Sequence, residues 1–438
     1  MARRLRSLLL LAVWQAGAMS ACAQMGHVLD AVGPINQSMG GAGVALPLDA
    51  IGALQWNPAS ITGLKRSEIG FSAMAFAPRM KLGSRVDADS FGSGFPAQDL
   101  QGSTTSDNGI SPIPSMAMVH RDPESPWTFG VGGFAIGGFG VDYSLRADNP
   151  ILTAQPPEGG LGFGNIYSQF QLMQFCPTAA YKVSPAWSVG FAPTFNWGTL
   201  AIDPFGATTP NPDGTYPSAA HGSSALGIGF QVGAFFESPT SDWNAGVSYK
   251  SPQWFEEFQF NAHDNTGGSR SLGIDLDYPS IISVGVAYKG FERIRLACDV
   301  RYIDYRNTAG FQAAGFDAAQ AVTGFGWKSI WVASAGAEFE LHERFKWRIG
   351  YCVNDNPIPA ASAFFNHQAP AIVQNHLSTG VTCEMKSGWL CSMAYHYGFR
   401  NSVSGRWWNP ATNSQIPGTR ITNTLFTHGL TMGISKRF

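Results

Sequence analysis

From about residue 67 onward, apolar residues recur at every second position, in runs closed by Gly, Pro, Asn, Asp or Ser. That is the pattern of strands with one apolar and one polar face. Fourteen runs can be read, near residues 67–77, 112–121, 126–138, 164–183, 185–201, 222–237, 242–263, 269–289, 291–305, 328–341, 345–353, 374–386, 388–400 and 421–438. The connections after the second, fourth, sixth, eighth, tenth and twelfth are short: DPESP, SPA, SPTSD, KGFE, HER and KSG. After the odd runs they are mostly long, as at 78–111, 139–163, 202–221, 306–327 and 354–373. An even count with tight turns at one end and long loops at the other predicts an all-β transmembrane fold, a 14-stranded antiparallel outer-membrane β-barrel. The long loops are then extracellular and both termini periplasmic.

Side-chain parity agrees. In RIRLACDVRY, Ile294, Leu296, Cys298, Val300 and Tyr302 alternate with Arg295, Ala297, Asp299 and Arg301, one set suited to lipid and the other to the interior. Trp331 to Phe339 and Trp347 to Tyr351 repeat the outward apolar set, opposed by Glu338 and Glu340 and by Lys346 and Arg348. Basic, acidic and basic stripes on three neighbouring strands read as interior ion pairs that hold the wall, or as a substrate site. The last strand ends in Phe438, in phase with Phe426, Leu430, Met432 and Ile434, while Lys436 interrupts that phase.

Composition sharpens this picture. Charged residues are 13% of the chain and aromatics 13%, against about 25% charged in soluble domains, and after the N-terminus no apolar run is long enough for a spanning helix. The start, MARRLRSLLLLAVWQAGAMSACAQ, has the basic and apolar regions of a secretory signal peptide, with cleavage expected after Ala23; lipidation of Cys22 is the alternative. Cleavage leaves 25 basic against 30 acidic residues, a formal charge of −5, so nothing recommends nucleic acid as a partner. The cysteines at 22, 176, 298, 352, 383 and 391 form no C-x-x-C pair. Cys298, Cys383 and Cys391 fit the lipid-facing phase, and a cross-strand disulfide between Cys383 and Cys391 stays open. There is no G-x-S-x-G, H-E-x-x-H or Walker motif, so no catalytic residue, metal site or cofactor is expected. GVGGFA at Gly130 lies in a strand rather than before a helix, which reads as small wall residues and not a phosphate loop.

One segment fits neither strand nor membrane helix: GGAGVALPLDAIGALQWNPASITGL, Gly40 to Leu64, nearly uncharged and rich in Gly and Ala. Its Gly40-Gly41-Ala42-Gly43, Asp49, Asn57-Pro58-Ala59 and Leu64, followed by GVSYKSP at 246, the long stretch from Pro279 to Tyr305 and KWRIGYCVNDNPIP at 346, resemble in order and spacing the FadL/TodX family of outer-membrane transporters for long-chain fatty acids and other hydrophobic compounds. The N-P-A triplet recurs at Asn409 to Ala411 and is read there as chance. The resemblance implies a monomeric barrel, 67–438, whose N-terminal segment, 24–66, folds inside as a hatch, with lateral release into the bilayer beside a kinked strand. Pro112, Pro114, Gly132, Gly133 and Gly137 mark the expected gate, since Pro and Gly weaken a ladder. Arg301 and Arg348 are the candidates for an acidic head group, Arg being able to grip a carboxylate with two parallel hydrogen bonds. The expected partners are a hydrophobic small molecule, outer-membrane lipid and, through Phe438, the barrel assembly machinery. A general porin or a purely structural barrel is the competing reading.

Overall fold

The computed structural model describes residues 25–438; the expected signal peptide and Cys22 lie outside them. Fourteen strands form the wall: β1 (Glu68–Val86), β2 (Ser111–Arg121), β3 (Trp127–Tyr143), β4 (Ile166–Lys182), β5 (Trp187–Asp203), β6 (Ala219–Glu237), β7 (Trp243–Lys250), β8 (Ile281–Tyr288), β9 (Ile294–Ile303), β10 (Ile330–His342), β11 (Phe345–Asn354), β12 (Asn375–Glu384), β13 (Trp389–Gly405) and β14 (Thr419–Arg437). Each pairs antiparallel with its neighbours in sequence, and β14 closes on β1 from Glu68↔Arg437 to Val86↔Thr419. Closure leaves neither the first nor the last strand as an edge strand.

The expected parity holds on the wall. Leu296, Val300, Trp331, Ile349 and Tyr351 are exposed, while Asp299, Arg301, Glu338 and Arg348 are buried in the interior. Beside the tight turns, outward aromatics pair across strands, Trp127 with Tyr181 at 4.8 Å and Trp243 with Tyr288 at 4.8 Å. A second set, including Tyr302 against Trp331 at 5.0 Å, lies toward the long loops. Two aromatic girdles around an apolar band are how a barrel meets both interfaces of a membrane. All five described cysteines are free, and Cys383 faces Cys391 across β12 and β13 without a disulfide.

Two expected strands do not run as read. Residues 242–263 and 269–289 alternate throughout, yet β7 stops at Lys250 and β8 starts at Ile281. Between them Phe258–His263 and Ser269–Ile274 pair as a separate hairpin. Its Phe258 and Phe260 are buried against Phe170 and Phe205, so this alternation reports a hairpin folded over the barrel end. Pro252 and Pro279 flank the excursion, and neither can donate to a ladder. β1 also runs on past Ala77 to Val86. Pro78 is tolerated because it falls where β1 lacks a partner on one side, between Phe76↔Ser111 and the added strand that starts at Lys81↔Thr105.

Residues 25–64 fill the lumen and are almost wholly buried. They form α1 (Gly33–Ser38), α2 (Ala50–Trp56) and a 3-10 turn at Pro58–Gly63. Asp49 caps α2, its Oδ1 accepting from Gly52 N at 3.3 Å. Asn57 caps the 3-10 turn through Ala59 N at 3.0 Å. The second N-P-A makes the same local bond, Ala411 N to Asn409 Oδ1 at 2.9 Å, so the triplet codes a turn wherever it stands. Gly40 and Gly41 have φ of 66° and 81°, the left-handed region that side chains other than glycine rarely adopt.

Candidate functional site

Interior glycines let the plug seat on the wall. A Cβ on Gly190 would lie 2.4 Å from Ala59 N, on Gly233 2.1 Å from Asn57 Oδ1, on Gly246 2.5 Å from Val44 O, on Gly336 2.5 Å from Met39 O and on Gly350 2.1 Å from Gly40 N. Gly190 faces Gly233, Gly246 faces Gly285, and Gly336 faces Gly350 across the ladders. This belt was not anticipated, although its signal was present: glycine at inward parity between outward apolar residues, as in RIGYC.

The two sequence-predicted arginines are already engaged. Arg301 is fully buried, donating from Nη2 to Asp299 Oδ2 at 2.8 Å and to the plug carbonyl of Gly41 at 2.6 Å, and from Nη1 to Ser334 Oγ at 3.1 Å. Its guanidinium lies 3.8 Å from the Trp56 ring centroid. The same Asp299 oxygen accepts from Gly43 N at 2.7 Å and Val44 N at 3.1 Å. Arg348 forks onto Glu338, with contacts of 2.6 and 2.7 Å, and donates to Thr382 at 2.8 Å. Glu338 also pairs with Arg295 at 2.9 Å. Arg301 therefore clamps the plug and Arg348 braces the wall, each through a buried carboxylate. A buried cation with no carboxylate contact among the described residues is Lys250, whose Nζ meets Gln55 Oε1 at 3.3 Å and Gln174 Oε1 at 3.1 Å.

An apolar pocket opens among the long loops. It has a volume of about 340 Å³, with Phe205, Phe316, Phe325, Phe364, Phe365 and His367 in its lining, within the size range of small-molecule sites. His367 stacks on Phe163 at 4.8 Å and donates from Nδ1 to Phe364 O. Burial lowers its pKa to about 4, so His367 is neutral at neutral pH. A cavity of about 560 Å³ at the tight-turn end is lined instead by charged residues, among them Arg66, Glu237, Arg293, Glu340 and Lys346.

Aromatic contacts lead inward from the loop pocket. Phe325 lies 5.6 Å from Phe311 and 6.2 Å from Trp327, and these two belong to a cage around His27 of the plug. His27 stacks on Phe311 at 4.9 Å and is edged by Tyr278, Tyr305, Phe170 and Trp327. Neither ring nitrogen has a hydrogen-bond partner among the described residues, and burial drives its pKa down to about 3.

The backbone of His27 meets the irregular part of β3. Its carbonyl accepts from Gly138 N at 2.8 Å, Leu29 N donates to Ile136 O at 3.0 Å, and a Cβ on Gly137 would stand 2.4 Å from the His27 carbonyl. The β3–β4 register breaks between Ala135 and Gly137. The β2–β3 ladder ends at Ser115↔Phe134, leaving Ser111 to Pro114 without β3 partners. Phe134 to Val141 are buried on both faces, with the plug backbone at His27 and Leu29 bonded to Gly138 and Ile136. Of the expected gate residues, Pro112 and Pro114 lie on the unpaired edge and Gly137 at the bulge, while Gly132 and Gly133 still pair with Ala117 and Met116.

A plugged barrel with an apolar loop pocket and a broken ladder is the architecture of an outer-membrane transport protein. Residues 12–438 match the family described as outer membrane protein transport protein (OMPP1/FadL/TodX), and the chain belongs to that family. Among solved structures, the Pseudomonas putida toluene transporter TodX superposes with a TM-score of 0.67 at 16% identity, over 95% of this chain and 100% of that one. A Pseudomonas aeruginosa FadL homologue gives 0.70 at 14%, over 94% and 100%. The Ralstonia pickettii toluene transporter TbuX gives 0.65 at 16%, over 93% and 99%. No curated protein sequence matches the chain.

Proposed function

We propose that this protein takes up small hydrophobic molecules through the outer membrane and releases them sideways into the bilayer. The observation that carries the reading is the unbroken chain of aromatic contacts from the loop pocket through Phe325, Phe311 and Trp327 to His27, which ends on the bulge of β3 beside Ser111–Pro114, paired to β1 but not to β3. An apolar solute gains about 0.8 kcal/mol per buried methylene in such a lining, and an aqueous pore offers no such gain. The unpartnered imidazole of His27 occupies a cage suited to an apolar ring. A substrate that displaces it withdraws the plug's N-terminal end from Gly137 and Gly138 and opens the path to the gap. The long loops are extracellular, both termini periplasmic, the barrel monomeric, and terminal Phe438 is read by the assembly machinery. The filled lumen supports this reading over a general porin, and the apolar pocket supports it over a purely structural barrel.

Monoaromatic hydrocarbons are the favoured class, since the cage is lined by rings and already holds one, that of His27. Uptake of radiolabelled toluene and of a long-chain fatty acid by cells carrying the wild type or Phe325→Ser is the test. Loss of uptake in the variant, at equal levels of assembled barrel, is expected. Equal uptake by both proteins, or high ion conductance in the wild type, sinks the reading.

A further inference from the structure

The plug carboxylate Asp30 has, among the described residues, one ion-pair partner, and that partner is a histidine. Its Oδ2 lies 3.2 Å from Nδ1 of His396 on β13. The His396 ring stacks at 5.2 Å and 29° on that of His376 on β12. All three residues are at most 2% exposed, and one donor atom from each falls within 4.8 Å of the other two. Nε2 of His396 has no hydrogen-bond partner among the described residues.

The tautomer of His376 follows from its neighbour. Asn354 spends both Nδ2 hydrogens on the carbonyls of Asp355, at 2.9 Å, and Val373, at 3.1 Å. Its Oδ1 must therefore accept, and the group at 3.3 Å is Nε2 of His376. In the neutral ring the lone pair then sits on Nδ1. A histidine held through one nitrogen by an amide oxygen, beside a carboxylate and a second imidazole, has the outer-shell arrangement of a metal ligand.

We propose that Asp30, His376 and His396 bind a divalent transition-metal ion, with zinc as the reference ion, and that this ion clasps the plug to β12 and β13. Four-coordinate zinc with ligands at about 2.0–2.1 Å needs neighbouring donors about 3.3–3.4 Å apart. The Asp30 and His396 atoms already meet that spacing, and side-chain rotation brings in His376. Two imidazoles and a carboxylate suit zinc, nickel or copper better than calcium or magnesium, which prefer oxygen. The proposal is independent of what the barrel transports.

The test uses untagged full-length protein in detergent, stripped with EDTA and then given Zn²⁺ or Co²⁺. One zinc per chain should survive desalting, and Co²⁺ should give visible absorption of the intensity expected for a tetrahedral site. Asp30→Asn and His396→Gln should each weaken binding by about tenfold or more, with gel mobility of the folded barrel unchanged. Zinc should also slow hydrogen exchange across residues 25–45 in the wild type. Wild-type protein that retains no zinc overturns the proposal, and so do variants that bind as the wild type does. If the variants fail to assemble, the wild-type Co²⁺ spectrum decides, and its absence counts against the site.

Discussion

Gly350 on β11 and Gly40 of the plug meet backbone to backbone: a Cβ on Gly350 would lie 2.1 Å from Gly40 N and from the Met39 carbonyl carbon. Nothing at that contact is a flexible side-chain end that could swing away. Gly350→Val should therefore destabilise the docked plug, by the roughly 1–3 kcal/mol typical of overpacking, while the outward face of β11 stays as it was. Planar-bilayer recordings should show higher conductance from a barrel that still migrates as folded. An unchanged conductance would mean that the plug does not rest on this glycine.

Arg301 supplies a prediction about stability. Arg301→Met leaves Asp299 buried with two backbone donors but no cation, and breaking a buried pair costs about 3–5 kcal/mol. Thermal unfolding should drop sharply, and Asp299→Asn in the same chain should recover much of the loss. Arg301→Lys should recover little, because a point charge cannot span Asp299, Gly41 and Ser334 at once. If Arg301→Met assembles and melts like the wild type, the clamp assignment is wrong.

The plug should respond to pH through two buried groups with opposite signs. His27 has a docked pKa of about 3 against its ordinary 6.5, so the released plug binds a proton that the docked one does not. Its contribution is complete above about 6.5 and is lost as pH falls toward 3. Asp49 has a docked pKa of about 7 against 3.8, raised first by burial and then by Glu68. Its docked state holds a proton that the released state gives up, so docking is favoured most below 3.8 and weakens as pH rises to 7. His27→Phe should flatten the acid-side loss. Asp49→Asn, which keeps an N-cap, should flatten the loss toward neutrality. Conductance followed from pH 4 to 8 separates the two, and identical profiles for all three proteins would refute both assignments.

How far the sequence could carry these conclusions depends on which residue pairs were local. The wall was legible because alternation needs only knowledge of which face is buried, and Leu296 to Tyr302 state it within one strand. The same alternation misled at 252–263, where Phe258 and Phe260 are buried by loops: periodicity reports that a face is covered, not by what. Inward parity of Arg301 was legible. Its partner Asp299 stands two residues away on the same face, whereas the expected partners, Glu338 and Glu340, belong to a neighbouring strand. The Asp30–His396 contact joins residues separated by most of the chain, and no local pattern announces it.

Lys250 separates the two substrate classes. Its ammonium is buried against amides of Gln55 from the plug and Gln174 from β4, and Gln174 pairs with Phe134, where the β2–β3 ladder ends. A cation held there by neutral acceptors can exchange one of them for a carboxylate, so an acidic head group arriving by the aromatic route would find it. Hydrogen bonds to a charged group contribute about 1.5–3 kcal/mol, or roughly tenfold to a hundredfold in affinity. Lys250→Met should therefore weaken binding of a long-chain fatty acid by that factor and leave toluene binding unchanged. Measuring both ligands on one purified variant keeps the comparison internal, since a misfolded barrel loses both. Selective loss of the fatty acid would shift the substrate class away from hydrocarbons. Equal retention of both would leave Lys250 as a tether between plug and wall, with the aromatic lining alone setting what passes.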